Sequence, residues 1–265
     1  MSRIAATFER LRAEGRTGLV AFVTVGYPDL NASVELVEAL TAGGADLIEL
    51  GVPFSDPLAD GTTVQRAGWR ALEQGVTLWD CLDVARRLRE RGLTQPLLLM
   101  GYYNPWLAAG LESFARKAAE AGVDGFIVVD LPPEEADELL AVTRPLGLDL
   151  IFLVAPTSSA ERLAAVSKAA SGFIYCVSVA GTTGARGELP EELPAFIARV
   201  REHTCLPLAV GFGVSRPEHV ARIGQLCEAA VIGSAIIDQI DNAAPHQRVD
   251  RVREYVEAVT GRRRS

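Results

Sequence analysis

The chain of 265 residues is poor in metal-binding side chains and has no long hydrophobic run. Its three histidines show no ligand spacing and its four cysteines form no C-x-x-C pair, so we predict no metal site and free thiols in a reducing compartment. A membrane helix would need ~20 consecutive apolar residues, and none occur. The amino terminus also lacks a signal-peptide pattern. We therefore expect a cytoplasmic protein that does not bind membranes.

Positive charge is scarce as well. The 26 Lys and Arg residues face 34 Asp and Glu residues, which gives a net charge of −8. A surface that follows nucleic-acid phosphates should be basic, so nucleic-acid binding is not expected. The basic run at residues 262–264 is most simply interpreted as a solvated tail.

What the chain does have is a regular alternation of short apolar segments with amphipathic helical patterns. The segments are nearly all apolar, as expected for parallel strands that are covered on both faces. The predicted strands are Gly18–Thr24, Asp46–Gly51, Pro96–Gly101, Gly125–Asp130, Asp149–Val154, Gly172–Val177, Pro207–Gly211 and Ala229–Ile232.

Eight such units predict an α/β fold, a (β/α)8 TIM barrel that forms a single domain over residues 1–265. Ile4, Phe8 and Leu11 recur at helical spacing and predict an extra N-terminal helix. The alternative is a doubly wound open sheet. It is disfavoured because the units are short and regular and no G-x-G-x-x-G motif opens the chain.

Helix ends are also indicated by the sequence. Ser158 and Ser215 each precede a glutamate by three residues, which predicts two capping boxes. Gly92 and Gly122 are predicted to end helices.

The segment 47–61 carries the most informative acid of the chain. Glu49 lies inside the apolar second strand, where an ionised carboxylate is costly unless a partner or a reaction requires it. Strand alternation points Glu49 into the barrel near the carboxyl ends of the strands, where active sites of this fold lie. A salt-bridged structural acid is the alternative, but no basic partner is evident at a neighbouring strand end. We therefore favour a functional role.

Three other acids lie on turns. Asp60 precedes a glycine on the loop after strand two, which by itself is an ordinary turn position. Asp56 and Asp130 lie in similar surroundings, and a structural role explains them as well as a functional one.

Glycine-rich loops follow the last three strands, at residues 181–187, 211–215 and 233–235. Glycines let backbone N–H groups approach an anion, and a following helix N-terminus adds a positive end. A single such loop would be explained as a tight turn. Three neighbouring loops favour a phosphate site.

Together, the run 47–61, residues 102–104 and these glycine loops resemble the tryptophan synthase alpha chain family over nearly the whole chain. The Glu49–Asp60 segment is specific to that family, whereas many phosphate-binding barrels share the glycine loops. The resemblance implies a carbon–carbon lyase that cleaves indole-3-glycerol phosphate to indole and glyceraldehyde 3-phosphate. Indole would then pass to a beta chain for condensation with serine to tryptophan.

The resemblance also implies roles for residues. Glu49 would be the catalytic acid/base group, and Asp60 would accept the indole N–H hydrogen bond and stabilise the cationic ring. Thr183 would lie on a loop that closes over the substrate and meets Asp60. The implied indole-pocket walls are Phe22, Met100, Tyr102, Ile127, Val129, Tyr175 and Phe212, any one of which could instead be ordinary core. The implied phosphate-binding residues are Gly184, Gly213, Gly233 and Ser234.

A partner is implied in the same way. The family's beta chain uses pyridoxal phosphate, and the two chains are expected to form an alpha2beta2 heterotetramer with the loop from Pro53 to Asp60 at the contact. This chain is expected to carry no cofactor of its own, since its two lysines lie in helical patterns. Val179 departs from relatives that have arginine at this position, and Arg186 lies further along the loop. The departure bears on loop closure more than on the reaction.

Other functions are less well supported. A different phosphosugar enzyme would explain the phosphate loops but not the pair Glu49 and Asp60. A non-catalytic activating subunit would not need both acids. A stand-alone indole-releasing lyase would carry the same two acids and is not distinguished by sequence.

Overall fold

The computed structural model describes residues 1–177, 189–211 and 213–262. Eight parallel strands close into a barrel in chain order, with β1 paired to both β2 and β8. The strands are β1 Gly18–Thr24, β2 Leu47–Gly51, β3 Leu97–Gly101, β4 Gly125–Val128, β5 Asp149–Val154, β6 Ile174–Val177, β7 Leu208–Gly211 and β8 Ala229–Ile232. Each lies within two residues of its predicted bounds. The TIM barrel expected from the sequence is confirmed.

Helices surround the barrel. They are α1 Arg3–Ala13, α2 Leu30–Ala42, α3 Thr62–Glu73, α4 Leu78–Glu90, α5 Tyr103–Ala109, α6 Leu111–Glu120, α7 Asp137–Thr143, α8 Ala160–Ala169, α9 Leu193–Arg201, α10 Pro217–Gly224, α11 Ser234–Asp241 and α12 Arg248–Thr260. Short 3₁₀ helices occur at Pro133–Glu135, Arg144–Leu146 and Pro245–Gln247. Within these ranges, no helix is both long and apolar enough to cross a membrane.

The core has two layers because the strands are buried on both faces. One face packs against the helices, and the other fills the barrel with a separate apolar cluster. That interior cluster includes Val20, Leu47, Leu98, Ile127, Ile151, Phe173, Tyr175, Ala209, Ala229 and Val231. Strand alternation therefore sets which residues point inward, as the sequence pattern predicts.

Helix α1 closes the barrel at the amino-terminal ends of the strands. Ile4, Phe8 and Leu11 join the interior cluster, and the Phe8 ring lies 5.7 Å from that of Phe173. On its polar side, Arg3 pairs with Asp124 at 2.7 Å. The predicted N-terminal helix is thus an integral part of the core.

The predicted helix starts were wrong by one residue at two places. Ser159, not Ser158, caps α8 through the N–H of Arg162, and Ser158 accepts the N–H of Ala155 instead. The actual capping box is the pair Thr77 and Asp80 at α4. The helix ends were predicted correctly, since Gly92 and Gly122 follow α4 and α6 with φ of +89° and +84°.

The second correction concerns α10. Its N-cap is Arg216, and Ser215 precedes it with its N–H donated to Nδ1 of His219 at 3.3 Å. His219 is a buried side chain, 5% exposed.

Of the predicted basic tail, only Arg262 is among the described residues, and it is not fully solvated. Arg262 pairs with Asp46 at 3.2 Å and donates to the carbonyl oxygen of Gly44 at 2.8 Å.

Candidate active site

Glu49 occupies the middle of β2 with its side chain inside the barrel. It lies in register with Phe22 on β1 and Leu98 on β3, and it is 0% exposed. Neither carboxylate oxygen has a hydrogen-bond partner among the residues that the structure describes. Burial raises the pKa of Glu49 from 4.5 to about 8. At neutral pH, this group is therefore a protonated acid.

Asp60 lies on the loop between β2 and α3, and it is half-buried. Burial raises its pKa from 3.8 to about 6, and a hydrogen bond with the Tyr102 hydroxyl acts in the opposite direction. Asp60 is therefore mainly ionised at neutral pH. The two acids have pKa values on opposite sides of 7, which is the arrangement expected of groups with different catalytic roles.

Tyr102 holds the loop that carries Asp60. Its hydroxyl accepts the N–H of Ala59 at 2.9 Å, and its ring stacks on Phe54 at 4.8 Å between centroids. Gln65 in the first turn of α3 donates to the carbonyl oxygen of Asp60 at 2.9 Å. The backbone on both sides of Asp60 is thus fixed by side chains from neighbouring elements.

Tyr175 interacts electrostatically with both acids. It is 8% exposed on β6 and packs so closely against β7 that a Cβ at Gly211 would lie 2.9 Å from its hydroxyl. Its pKa is raised well above the ordinary value, first by burial and then by the charges of Glu49 and Asp60. All three groups therefore share one electrostatic environment at the carboxyl end of the barrel.

A largely apolar cleft opens beside Asp60, and Tyr175 does not line it. Five predicted site residues line it: Phe22, Asp60, Met100, Tyr102 and Val129. Glu49 lies beneath this cleft rather than in its wall. Ile127 is 0% exposed in the interior cluster and does not line the cleft either.

Gly51 leaves the space that the Phe22 ring fills. A Cβ on Gly51 would lie 2.4 Å from that ring. On its other side, Phe22 lies next to the position of Gly233, where an added Cβ would be 3.4 Å away. Phe22 therefore lies between the acid-bearing strand β2 and the predicted phosphate loop after β8.

The described part of the predicted phosphate site lies around the start of α11. Gly233 is the N-cap of this helix, and no side chain in the described ranges caps it. The N–H groups of Ile236 and Ile237 donate to the Gly233 carbonyl oxygen, at 2.9 and 3.2 Å. Those of Ser234 and Ala235 precede them in the first turn, where backbone donors have no intrahelical partner. Such a turn is suited to an anion.

Gly213 lies after β7 with φ of +65°, a conformation that favours glycine. The other residues predicted to surround the substrate, Thr183, Gly184 and Phe212, lie outside the described residues. The same holds for Val179 and Arg186.

The two other candidate acids have structural partners. Asp130 accepts the N–H of Tyr103 at 2.8 Å at the start of α5. Asp56 is exposed and accepts the Ser55 hydroxyl at 2.5 Å. In the described ranges, no group of three His, Cys, Asp or Glu side chains could hold a metal ion. All four cysteines are free thiols, with Cys205 exposed and the others buried.

Sequence reasoning missed several residues of the cleft, notably Thr24, Val52, Phe54 and Val64. Thr24 is 4% exposed, and its hydroxyl has no partner in the part of the chain described. Alternation from Phe22 along β1 could have identified it. Phe54 could not be found this way, because loop conformation decides where its ring lies.

Comparisons with known proteins identify the family of this chain. The model of the family "Tryptophan synthase alpha chain" matches residues 8–262. The tryptophan synthase alpha chain of Roseiflexus castenholzii is 54% identical over 98% of this chain and 100% of its own length. That of Chloroflexus aurantiacus is 51% identical over 97% of this chain and 96% of its own.

Solved structures give the same result. The alpha subunit of tryptophan synthase from Legionella pneumophila superposes with a TM-score of 0.91 at 38% identity, covering 98% of each chain. A chain of Mycobacterium tuberculosis tryptophan synthase has a TM-score of 0.91 at 38% identity, over 98% of this chain and 97% of its own. On this agreement over nearly the full length, the chain belongs to the tryptophan synthase alpha chain family.

Proposed function

We propose that Glu49 and Asp60 carry out the reaction of this family in the cleft at the carboxyl end of the barrel. As a tryptophan synthase alpha chain, the protein is a lyase that cleaves indole-3-glycerol phosphate to indole and glyceraldehyde 3-phosphate. The observation that carries the residue assignment is the pair of acids with pKa values of about 8 and about 6 around one cleft.

Glu49 is assigned both proton transfers. The protonated carboxyl first delivers its proton to indole C3. The resulting carboxylate then removes the proton of the side-chain hydroxyl while the carbon–carbon bond breaks. Glu49 is thereby returned to its protonated form, so the proton balance closes within one turnover. The Glu49 carboxyl has no hydrogen-bond partner among the described residues, which leaves it able to reorient between the two steps.

Asp60 is assigned the role of stabilising the positive charge that develops on the indole ring. Protonation at C3 leaves the indole cationic and makes its N–H a stronger donor. A carboxylate that is ionised at neutral pH and held on a fixed loop stabilises this cation, and the surrounding apolar walls strengthen the attraction.

The substrate is oriented by its two ends. The indole ring would lie among Phe22, Met100, Tyr102 and Val129, with Ile127 and Tyr175 below it. The phosphate would lie at Gly213, Gly233 and Ser234, with Gly184 assigned from the family pattern. Thr183 would lie on the loop that closes over the substrate, also by the family pattern. The position of Phe22 beside both Gly51 and Gly233 supports a substrate that spans the two regions.

Family membership also supports a beta-chain partner, to which the indole is passed. We propose that the complex is an alpha2beta2 tetramer that contacts this chain at the loop from Pro53 to Asp60. We further propose that pyridoxal phosphate belongs to the beta chain alone. This chain would then act as a single barrel domain in the cytoplasm without a cofactor of its own.

The assignment is tested by release of indole from indole-3-glycerol phosphate, with and without a beta chain. Glu49→Gln keeps the shape of the side chain but removes its proton-transfer ability. We expect kcat to fall by about 10²- to 10⁴-fold, the usual contribution of an acid/base group, with substrate binding retained. Glu35→Gln on the exposed face of α2 is the matched control. Turnover by the Glu49 variant at the rate of the control would refute the assignment.

A further inference from the structure

The loop between β7 and α10 is held at one residue from two sides. Ser215 donates its backbone N–H to Nδ1 of His219 at 3.3 Å, and its carbonyl oxygen accepts the hydroxyl of Tyr255 at 2.9 Å. His219 belongs to α10. Tyr255 belongs to α12 and lies 40 residues after Ser215 in the chain. Both backbone groups of Ser215 are thus fixed by side chains rather than by the barrel sheet.

This position matters because Gly213 lies two residues before Ser215. A backbone N–H binds an anion well only when its direction is fixed before the anion arrives. Gly213 has a φ of +65° and offers no side chain that could fix the loop. The orientation of the loop must therefore come from its neighbours, Val214, which is 4% exposed, and Ser215.

Tyr255 also reaches the second element of the predicted phosphate site. Helix α12 packs against both α10 and α11. The pKa of Tyr255 is raised by burial and next by the charge of Asp238 on α11, so that carboxylate lies near the phenol. One half-buried side chain thus touches the loop that contains Gly213 and lies next to the helix that begins at Ser234.

His219 is the second side chain that fixes Ser215, and Arg216 competes with Ser215 for hydrogen bonding to its ring. Nε2 of the same ring lies 3.1 to 3.3 Å from the guanidinium of Arg216. A neutral imidazole has one acceptor nitrogen, so His219 holds Ser215 in the tautomer that carries its proton on Nε2. In the other tautomer, the ring accepts from Arg216 instead.

We propose that Tyr255 and His219 are positioning residues for the phosphate group of the substrate, acting through Ser215 on the backbone of Gly213. The proposal rests on the proposed phosphate site and deepens it. Neither residue lines the cleft beside Glu49 and Asp60. Their effect is therefore on binding of the phosphate end and not on proton transfer.

Tyr255→Phe tests this, because it removes one hydroxyl and keeps the ring. Steady-state indole release gives kcat and KM for indole-3-glycerol phosphate, and inorganic phosphate and indole serve as two separate competing probes. We expect KM and the inhibition constant of phosphate to rise together by about 3- to 10-fold, the usual effect of one lost hydrogen bond. The value of kcat should stay within about twofold, and the inhibition constant of indole should not change.

Tyr103→Phe is the matched control. Tyr103 is a part-buried tyrosine at the start of α5, after β3 and on the opposite side of the barrel from β7. This substitution should change the inhibition constant of neither phosphate nor indole.

His219 gives a second route should Tyr255→Phe lower the thermal midpoint. In His219→Asn, the amide oxygen takes the place of Nδ1 and can accept the Ser215 N–H, whereas His219→Ala cannot. We expect the alanine variant to weaken phosphate inhibition and the asparagine variant to restore it.

Two results would overturn the proposal. One is an unchanged inhibition constant for phosphate in both Tyr255→Phe and His219→Ala. The other is a fall in kcat with phosphate binding intact. If inorganic phosphate does not compete with substrate in the unaltered protein, the phosphate site itself is wrong. That result is separate from a failure of Tyr255 and His219 alone.

Discussion

The two ends of the barrel treat buried acids in opposite ways, and one short segment shows both. Asp46 and Glu49 are three residues apart, with exposures of 3% and 0%. Asp46 lies at the amino-terminal end of β2 and pairs with Arg10, Arg16 and Arg262, at 3.1, 2.8 and 3.2 Å. Glu49 lies in the same strand and is bonded to no described group.

Three acids at the amino-terminal end make the same kind of structural contact. Asp46, Asp124 and Glu228 each precede or begin a strand segment and accept a backbone N–H from a neighbouring strand. Each also pairs with arginine. A buried charge is tolerable when it is paired and hydrogen-bonded, and these three acids meet both conditions. At the carboxyl end, the same burial without pairing yields a protonated Glu49.

After Glu49→Gln, the largest effect expected at the carboxyl end is that of Asp60→Asn. A neutral amide stabilises a cationic ring poorly, so we expect kcat to fall by about 10²- to 10³-fold, as for loss of one electrostatic group. Indole release at pH 7 is the measurement. A variant that turns over within threefold of the unaltered protein would remove Asp60 from the mechanism.

The pH profile sharpens the same assignment. Asp60 must be ionised and Glu49 protonated, so kcat/KM should fall below about pH 6 and above about pH 8. In Asp60→Asn, the residual activity should lose the acidic limb and keep the alkaline one. A profile in which both limbs survive the substitution would assign the acidic limb to another group.

Glu49 should also affect stability in a direction opposite to that of a paired acid. The folded protein keeps this proton up to about pH 8, whereas the unfolded chain releases it above its ordinary pKa of 4.5. Unfolding therefore releases a proton in this window, and the free energy of unfolding should fall by about 1.4 kcal/mol per pH unit. The free energy of urea unfolding of the unaltered protein minus that of Glu49→Gln should fall with this slope between pH 5 and pH 8, because the contribution of Asp60 cancels in the difference.

Asp124→Asn is the contrasting prediction, at the amino-terminal end of the barrel that α1 covers. Asp124 pairs with Arg3 and with Arg89, which is 14% exposed, so the substitution leaves a mostly buried guanidinium without its counter-charge. We expect a loss of about 3 kcal/mol in the free energy of unfolding. Activity per folded molecule should be unchanged. A large fall in kcat at full folding would contradict the division of the barrel into a stabilising end and a reactive end.

The smallest effect is expected for a surface pair. Asp83 and Arg86 on α4 are about half exposed, so Asp83→Asn should cost less than about 1 kcal/mol. The same urea titration provides this value, which serves as the matched control for Asp124→Asn. A cost as large as that of Asp124→Asn would mean that burial does not explain the difference.

Sequence reasoning worked best where the evidence is periodic. All eight strands follow from apolar runs, and alternation placed Glu49 inside the barrel before any contact was known. Phe22 and Met100, which the family resemblance implied as pocket walls, line the cleft.

Sequence reasoning failed where a shift of one residue, or a contact between residues distant in the chain, determines the local structure. Ser158 and Ser159 are chemically equal caps, and only the local backbone selects the second. The burial of His219 follows from its bond to Ser215, and Arg262 is fixed by Asp46, 216 residues earlier in the chain. The roles of Glu49 and Asp60 came from family resemblance rather than from periodicity.

The arginines around Asp46 have a consequence for engineering. Arg10 on α1 and Arg262 after α12 meet at one carboxylate, so the first and last helices are tied together at the end of the barrel away from the cleft. A linker that joined the two ends of the described chain along this face would not cross the substrate path, and new termini could be opened in a surface loop elsewhere. For the same reason, a fusion partner attached at either end would project away from the cleft and from the loop at Pro53–Asp60.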